Sequence, residues 1–137
     1  MIKAIDALKD MNLGNFILYG NPKNEEDFIK MYKKQLGKDE NKNAILSSDP
    51  NDFGVTWSQV ETKIIELQAA EPMRLLRLER DRKIAATDWW VLPDRTPTQA
   101  QLDYRQALRD LPSHSPNAAL DEQGNLINVT WPTKPEA

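Results

Sequence analysis

Apolar residues change their spacing several times along this chain, and each change marks an element. Ile2, Ile5 and Leu8 recur at near-helical spacing, which predicts a short helix over residues 2–10. Phe16-Ile17-Leu18-Tyr19, bounded by Gly14 and the Gly20-Asn21-Pro22 turn, predicts a strand. A second helix is predicted from an Asn24 cap, with Glu25, Glu26 and Asp27 in its first turn and Lys33, Lys34 and Gly37 at its end. That charge order suits the helix dipole at both ends. Its apolar face would be Phe28, Met31, Tyr32 and Leu36. A polar connector over residues 37–54 then carries a short strand at Ala44-Ile45-Leu46, with another expected at Val55-Thr56-Trp57.

From Ser58 the helical signal strengthens. Ser58 and Glu61 have capping-box spacing, followed by Val60, Ile64 and Leu67 on one face. Pro72 either kinks one long helix or opens a new one, and helical spacing continues through Met73, Leu75, Leu76, Leu78 and Ile84 to about Thr87. A further capping box is expected at Thr96-Pro97-Thr98-Gln99, opening a helix with buried face Ala100, Tyr104, Ala107, Leu108 and Leu111. Leu111-Pro112 ends it. The short link between these helices predicts antiparallel packing. Leu126 to Trp131 alternates as a strand does, but Pro132 and Pro135 confine it to an edge or an extended tail. The chain therefore reads as α+β, mainly α. Residues 1–57 form a small irregular α+β unit, and residues 58–137 a long helix, a helical hairpin and an extended C-terminal tail.

Composition narrows the function classes. The 137 residues contain no cysteine, which removes disulfides, thiolate chemistry and cysteine metal sites together. The mean hydropathy of −0.67 argues against membrane insertion, and no window approaches the roughly 20 apolar residues of a span. The opening MIKAIDALKD has no basic segment followed by an apolar run, so no signal peptide is expected and a cytoplasmic origin is the simplest reading. Net charge is −3 with mixed signs, which argues against a nucleic-acid partner because phosphate binding needs a basic stripe. The Asn128-Val129-Thr130 sequon is read as chance.

No catalytic or metal-ligating constellation emerges, and no cofactor is expected. His114 is the only histidine and sits in a Pro-flanked serine loop, far from the setting of a catalytic triad. Glu25-Glu26-Asp27 fits a helix N-terminus better than a loop wrapped around a cation. Arginines carry more information. The stripe Met73, Leu76, Arg80, Ile84 and the stripe Leu75, Leu78, Arg82, Ala85 are each interrupted by one. An arginine on an apolar face needs a carboxylate, free carbonyls or an aromatic plane. Asp88, Trp89, Trp90 and Asp110 are the available groups, so Arg80 or Arg82 either anchors the hairpin or belongs to a solvated face with pairs such as Arg77–Asp81 and Glu79–Lys83. Trp57, Trp89, Trp90 and Trp131 are either all core or include one indole left for a partner.

The run RLERDRKIAATDWWVLPDRTPTQAQLDYRQALRDLP, followed by VTWP, resembles the C-terminal domain of phage tail assembly chaperones. Arg77, Arg80 and Asp81 stand at the helical positions of that pattern, and Thr87-Asp88-Trp89 at its corner. Tyr104-Arg105, Leu108-Arg109-Asp110 and Leu111-Pro112 match its second helix, and Trp131-Pro132 its end. The resemblance covers roughly residues 72–133, and residues 1–57 fall outside it. It implies a non-enzymatic tail or tail-fibre assembly factor that acts in the host cytoplasm and binds an immature tail protein, with no nucleic acid and no membrane as partner. Self-association is left open. A permanent structural component of the virion tail is the alternative, and a hydrolase or peptidoglycan-active tail protein lacks the carboxylate pair or metal cluster it would need. Arg80, Arg82, Asp88, Trp89, Trp90, Tyr104 and Trp131 are the residues expected to bind the partner or anchor the hairpin.

Overall fold

A computed structural model describes residues 1–136, and the fold is α+β with helix predominating. Its contacts gather into two units, residues 1–69 and residues from 70 onward.

In the first unit, α1 (Ala4–Asp10) buries Ala4, Ala7 and Leu8, and the Asp6 carboxylate closes its first turn by accepting from the Lys3 amide at 2.8 Å. Strand β1 (Phe16–Leu18) lies where the apolar run placed it. Helix α2 (Glu25–Met31) is capped as expected, with Asn24 Oδ1 accepting from the Asp27 amide at 2.8 Å. It stops six residues short of Gly37, however. Tyr32–Lys38 is instead β2, the middle strand of an antiparallel sheet between β1 and β3 (Ala44–Ser47).

Pairing on both edges explains this departure. A central strand gives its backbone partners on two sides while Tyr32 enters the core, and that context outweighs a weak helical preference. Leu36, expected on the buried helical face, is 56% exposed. Lys33 and Lys34 do not complement a helix C-terminus either; their amines donate to Ser48 Oγ and to the Leu13 carbonyl. Phe28 and Tyr32 still meet, at 4.9 Å between ring centroids, and Phe53 packs edge-on against Tyr32 at 4.7 Å. Leu8, Val55 and Val60 complete this core.

Val55-Thr56 is not a strand. Thr56 caps α3 (Trp57–Ala85), its hydroxyl accepting from the Gln59 amide at 3.2 Å while Gln59 Oε1 accepts from the Thr56 amide at 3.0 Å. This box lies two residues before the expected Ser58–Glu61 pair. It brings Trp57 into the helix, so that Trp57, Val60, Ile64 and Leu67 all meet the first core. Pro72 neither ends nor restarts the helix, which runs unbroken for 29 residues.

The second unit takes up the rest of α3. Leu76 is fully buried and Met73, Arg80 and Ile84 are half-buried, whereas Leu78, Arg82 and Ala85 face solvent. A 3-10 turn over Asp88–Val91 follows, then α4 (Gln99–Asp110). The α4 cap is Thr98 with Gln101, not Thr96 with Gln99; both pairs have box spacing, and the chosen one buries Gln101. The buried face of α4 is Gln101, Tyr104, Arg105 and Leu108, continued by Leu111, while Ala100 and Ala107 are exposed. Tyr104, Leu108 and Leu111 of the expected stripe are thus buried, while Gln101 and Arg105 are buried in place of Ala100 and Ala107. A 3-10 turn over Leu111–His114 leaves His114 in solvent. The segment that follows contains β4 (Ala119–Leu120), which pairs antiparallel with β5 (Leu126–Ile127). The strand expected as far as Trp131 stops at Ile127, and an extended tail continues through Trp131.

Candidate functional site

The C-terminal end of α3 presents carbonyls that have no further turn to bond to. The chain resolves this by tightening: the Thr87 amide donates to the Ile84 carbonyl at 3.0 Å, and the Trp90 amide to the Thr87 carbonyl at 3.0 Å. The buried Thr87 hydroxyl also donates to the Ile84 carbonyl at 3.0 Å. Arg105, arriving from α4, completes the corner. Its Nη1 donates to the Ile84 carbonyl at 3.1 Å and to Thr87 Oγ1 at 2.7 Å, and its Nη2 meets Asp88 Oδ1 at 3.1 Å. The arginine side chain is 7% exposed while that of Asp88 remains largely in solvent. A cation here also faces the negative end of the α3 dipole. One guanidinium thus fixes a helix end, a threonine and a carboxylate in a single plane of donors.

The aromatic residues divide around that corner. Trp90 is 1% exposed and packs with Tyr104 at 6.1 Å between centroids, with Leu108, Ile84 and Trp131 around them. Burial holds the Tyr104 phenol above its ordinary pKa. Trp89 meets Trp90 edge-on at 6.1 Å yet stays 41% exposed, with the Arg95 guanidinium over its ring at 4.4 Å. Adjacent positions on a tight turn point apart, so one indole enters the core and its neighbour cannot. Val91 and Leu92 are exposed beside it in sequence. Trp131 is half-buried, with Lys83 Nζ over its ring at 5.2 Å.

Residues 73–136 match the family model of the phage tail assembly chaperone protein. The family suspected from the Thr-Asp-Trp corner, the second-helix motif and the closing Trp-Pro is therefore the one found. No curated protein and no solved structure matches the chain. The chaperone model covers nearly all of the second unit, including α4 and the tail, and leaves the sheet-bearing first unit outside it.

Within the matched region, the expected site residues are partly brought together. Trp90, Tyr104 and Trp131 pack in one cluster, and Asp88 is tied to α4 through Arg105. Arg80 and Arg82 do not reach it: Arg80 pairs with Asp81 at 2.8 Å and Arg82 with Glu79 at 2.9 Å, both on their own helix. The hairpin-spanning arginine is Arg105, which the expected residues omitted. Its signal was present, because Gln101, Arg105 and Leu108 share the helical face of Tyr104 and an arginine there interrupts an apolar stripe as Arg80 does. Arg95 was missed for a different reason. Its role depends on turn geometry, and no periodicity reports it. Among the described residues, no group of three or more His, Cys, Asp or Glu side chains is gathered to hold a metal ion, and no helix is long and apolar enough to cross a membrane.

Proposed function

We propose that this protein is a non-enzymatic assembly factor that binds an immature phage tail or tail-fibre protein in the host cytoplasm and shields it until assembly. The family match over residues 73–136 carries this reading. The corner supports it physically. Trp89, Val91 and Leu92 hold apolar side chains in solvent on a turn whose backbone is locked by Arg105 and Thr87. A rigid, exposed indole loses little conformational freedom on docking and has a large area to bury, which is the usual make-up of an interface hot spot. Arg95 over Trp89 restricts the ring further before any partner arrives.

Co-expression with neighbouring tail genes and affinity purification tests the reading. A tail protein should co-purify with the chain, and Trp89→Ala should weaken that complex by about 2 kcal/mol, more than it destabilises the fold through the lost Trp90 contact. Purified particles that contain the chain in stoichiometric amount would overturn the transient role.

A further inference from the structure

A groove of ≈ 540 Å³ runs along α4 beside the Trp131-Pro132 segment of the tail. Asp103 and Asp110 line it, Ala107 lies between them on the same helical face, and Leu111, His114 and Trp131 line it as well. Ala107 and Asp103 are exposed, so the groove opens to solvent. Among the described residues, neither carboxylate has a lysine, arginine or histidine nitrogen within 4.0 Å. Each is met only by a neighbouring amide, Asp103 by Gln99 at 2.8 Å and Asp110 by Gln106 at 3.0 Å. The two acids lie seven positions apart, roughly 10 Å along the helix axis.

We infer that this groove receives a basic segment of the tail protein, its lysine or arginine side chains meeting Asp103 and Asp110 and an apolar side chain seated over Ala107 against Trp131. The inference rests on the assembly-factor reading and adds the partner's chemistry to it. Charge complementarity carries it: an apolar trough lined by two acids that make no ion pair, with Lys83 held over Trp131 and in a chain of net charge −3, favours a cationic occupant over an acidic one. The seven-residue spacing matches basic residues two turns apart on a partner helix.

The test uses the full chain and two labelled helical peptides. One carries lysines seven positions apart with leucine midway, and the other carries glutamates in place of the lysines. Fluorescence anisotropy should show the basic peptide binding at least about tenfold more tightly, with the preference shrinking as salt rises. The double substitution Asp103→Lys with Asp110→Lys should remove the preference. Asp103→Asn with Asp110→Asn, which keeps the amide contacts and so protects the fold, should weaken the basic peptide by about tenfold. Equal binding of the two peptides, or unchanged binding by the asparagine variant, would overturn the inference. So would dimerisation of the chain alone that the lysine variant abolishes, since the groove would then belong to a second copy. Co-purification separates the two readings. A tail protein recovered equally with parent and charge-reversed chains leaves the assembly role standing without the groove. If no tail protein is recovered even with the parent chain, the assembly role fails, and the inferred occupant of the groove fails with it.

Discussion

In residues 1–69, Phe28, Tyr32 and Phe53 pack on one another and on Leu8 and Val60, and no charged side chain is buried among them. From residue 70 onward, Trp90, Tyr104 and Leu108 make a much smaller cluster, and the buried Thr87, Gln101, Arg105 and Ser115 all lie in this unit. The first unit gains its stability from apolar area, which is large but tolerant of detail. The second has too little area for that, and a directional hydrogen-bond network sets its geometry. A surface that must hold one shape for a partner is better served by the second arrangement.

Phe28→Ala should have the largest effect and break the first side of the comparison. It removes a ring in contact with Tyr32, Phe53 and Trp57, and a loss of about 3–5 kcal/mol is expected. Hydrogen exchange read over residues 1–69 is the measurement. Arg105→Lys breaks the second side. A lysine keeps the charge but cannot reach the Ile84 carbonyl, Thr87 and Asp88 together, so about 2 kcal/mol should be lost, with protection falling around residues 84–91. Retained protection there would mean that the aromatic cluster alone sets the corner. Thr87→Val is a finer cut, removing one hydroxyl from that network at about 1 kcal/mol in thermal unfolding.

Tyr32→Phe should be the smallest and opposite in sign. The buried Tyr32 hydroxyl has no hydrogen-bond partner, so its removal should leave stability unchanged or raise it by up to about 1 kcal/mol. Burial raises the Tyr32 pKa above its ordinary value of 10.0 because the neutral phenol is favoured in the fold. That contribution is fully present below pH 10.0 and is lost as pH rises through the folded-state value. Alkaline denaturation should therefore begin at higher pH in the phenylalanine variant.

Periodicity resolved much of this architecture and failed where two local signals competed. The β1 run, the Asn24 cap and the long α3 were legible because each has one dominant pattern. Tyr32–Lys38 was not, since Phe28, Met31, Tyr32 and Leu36 keep helical spacing while the sheet demands an extended chain. Capping boxes were found near both long helices yet displaced by two residues, because overlapping Ser/Thr-x-x-Glu/Gln pairs are equivalent in sequence. Of the site, the paired tryptophans announced a corner, but which indole is buried depends on the turn at Asp88–Val91. Arg105 was legible in principle, as a charge on an apolar face, and was passed over in favour of the arginines of α3.

The Arg105 contacts also set an order of events during synthesis. The guanidinium that closes the α3 end comes eighteen residues after Thr87. At ribosomal speeds the nascent chain carries Trp89 and Trp90 for about one to three seconds before that group has been added. Until then the corner lacks the side chain that joins Ile84, Thr87 and Asp88, and the aromatic pair has no fixed arrangement. The locked corner is therefore a late product of translation, formed only after α4 has emerged and folded.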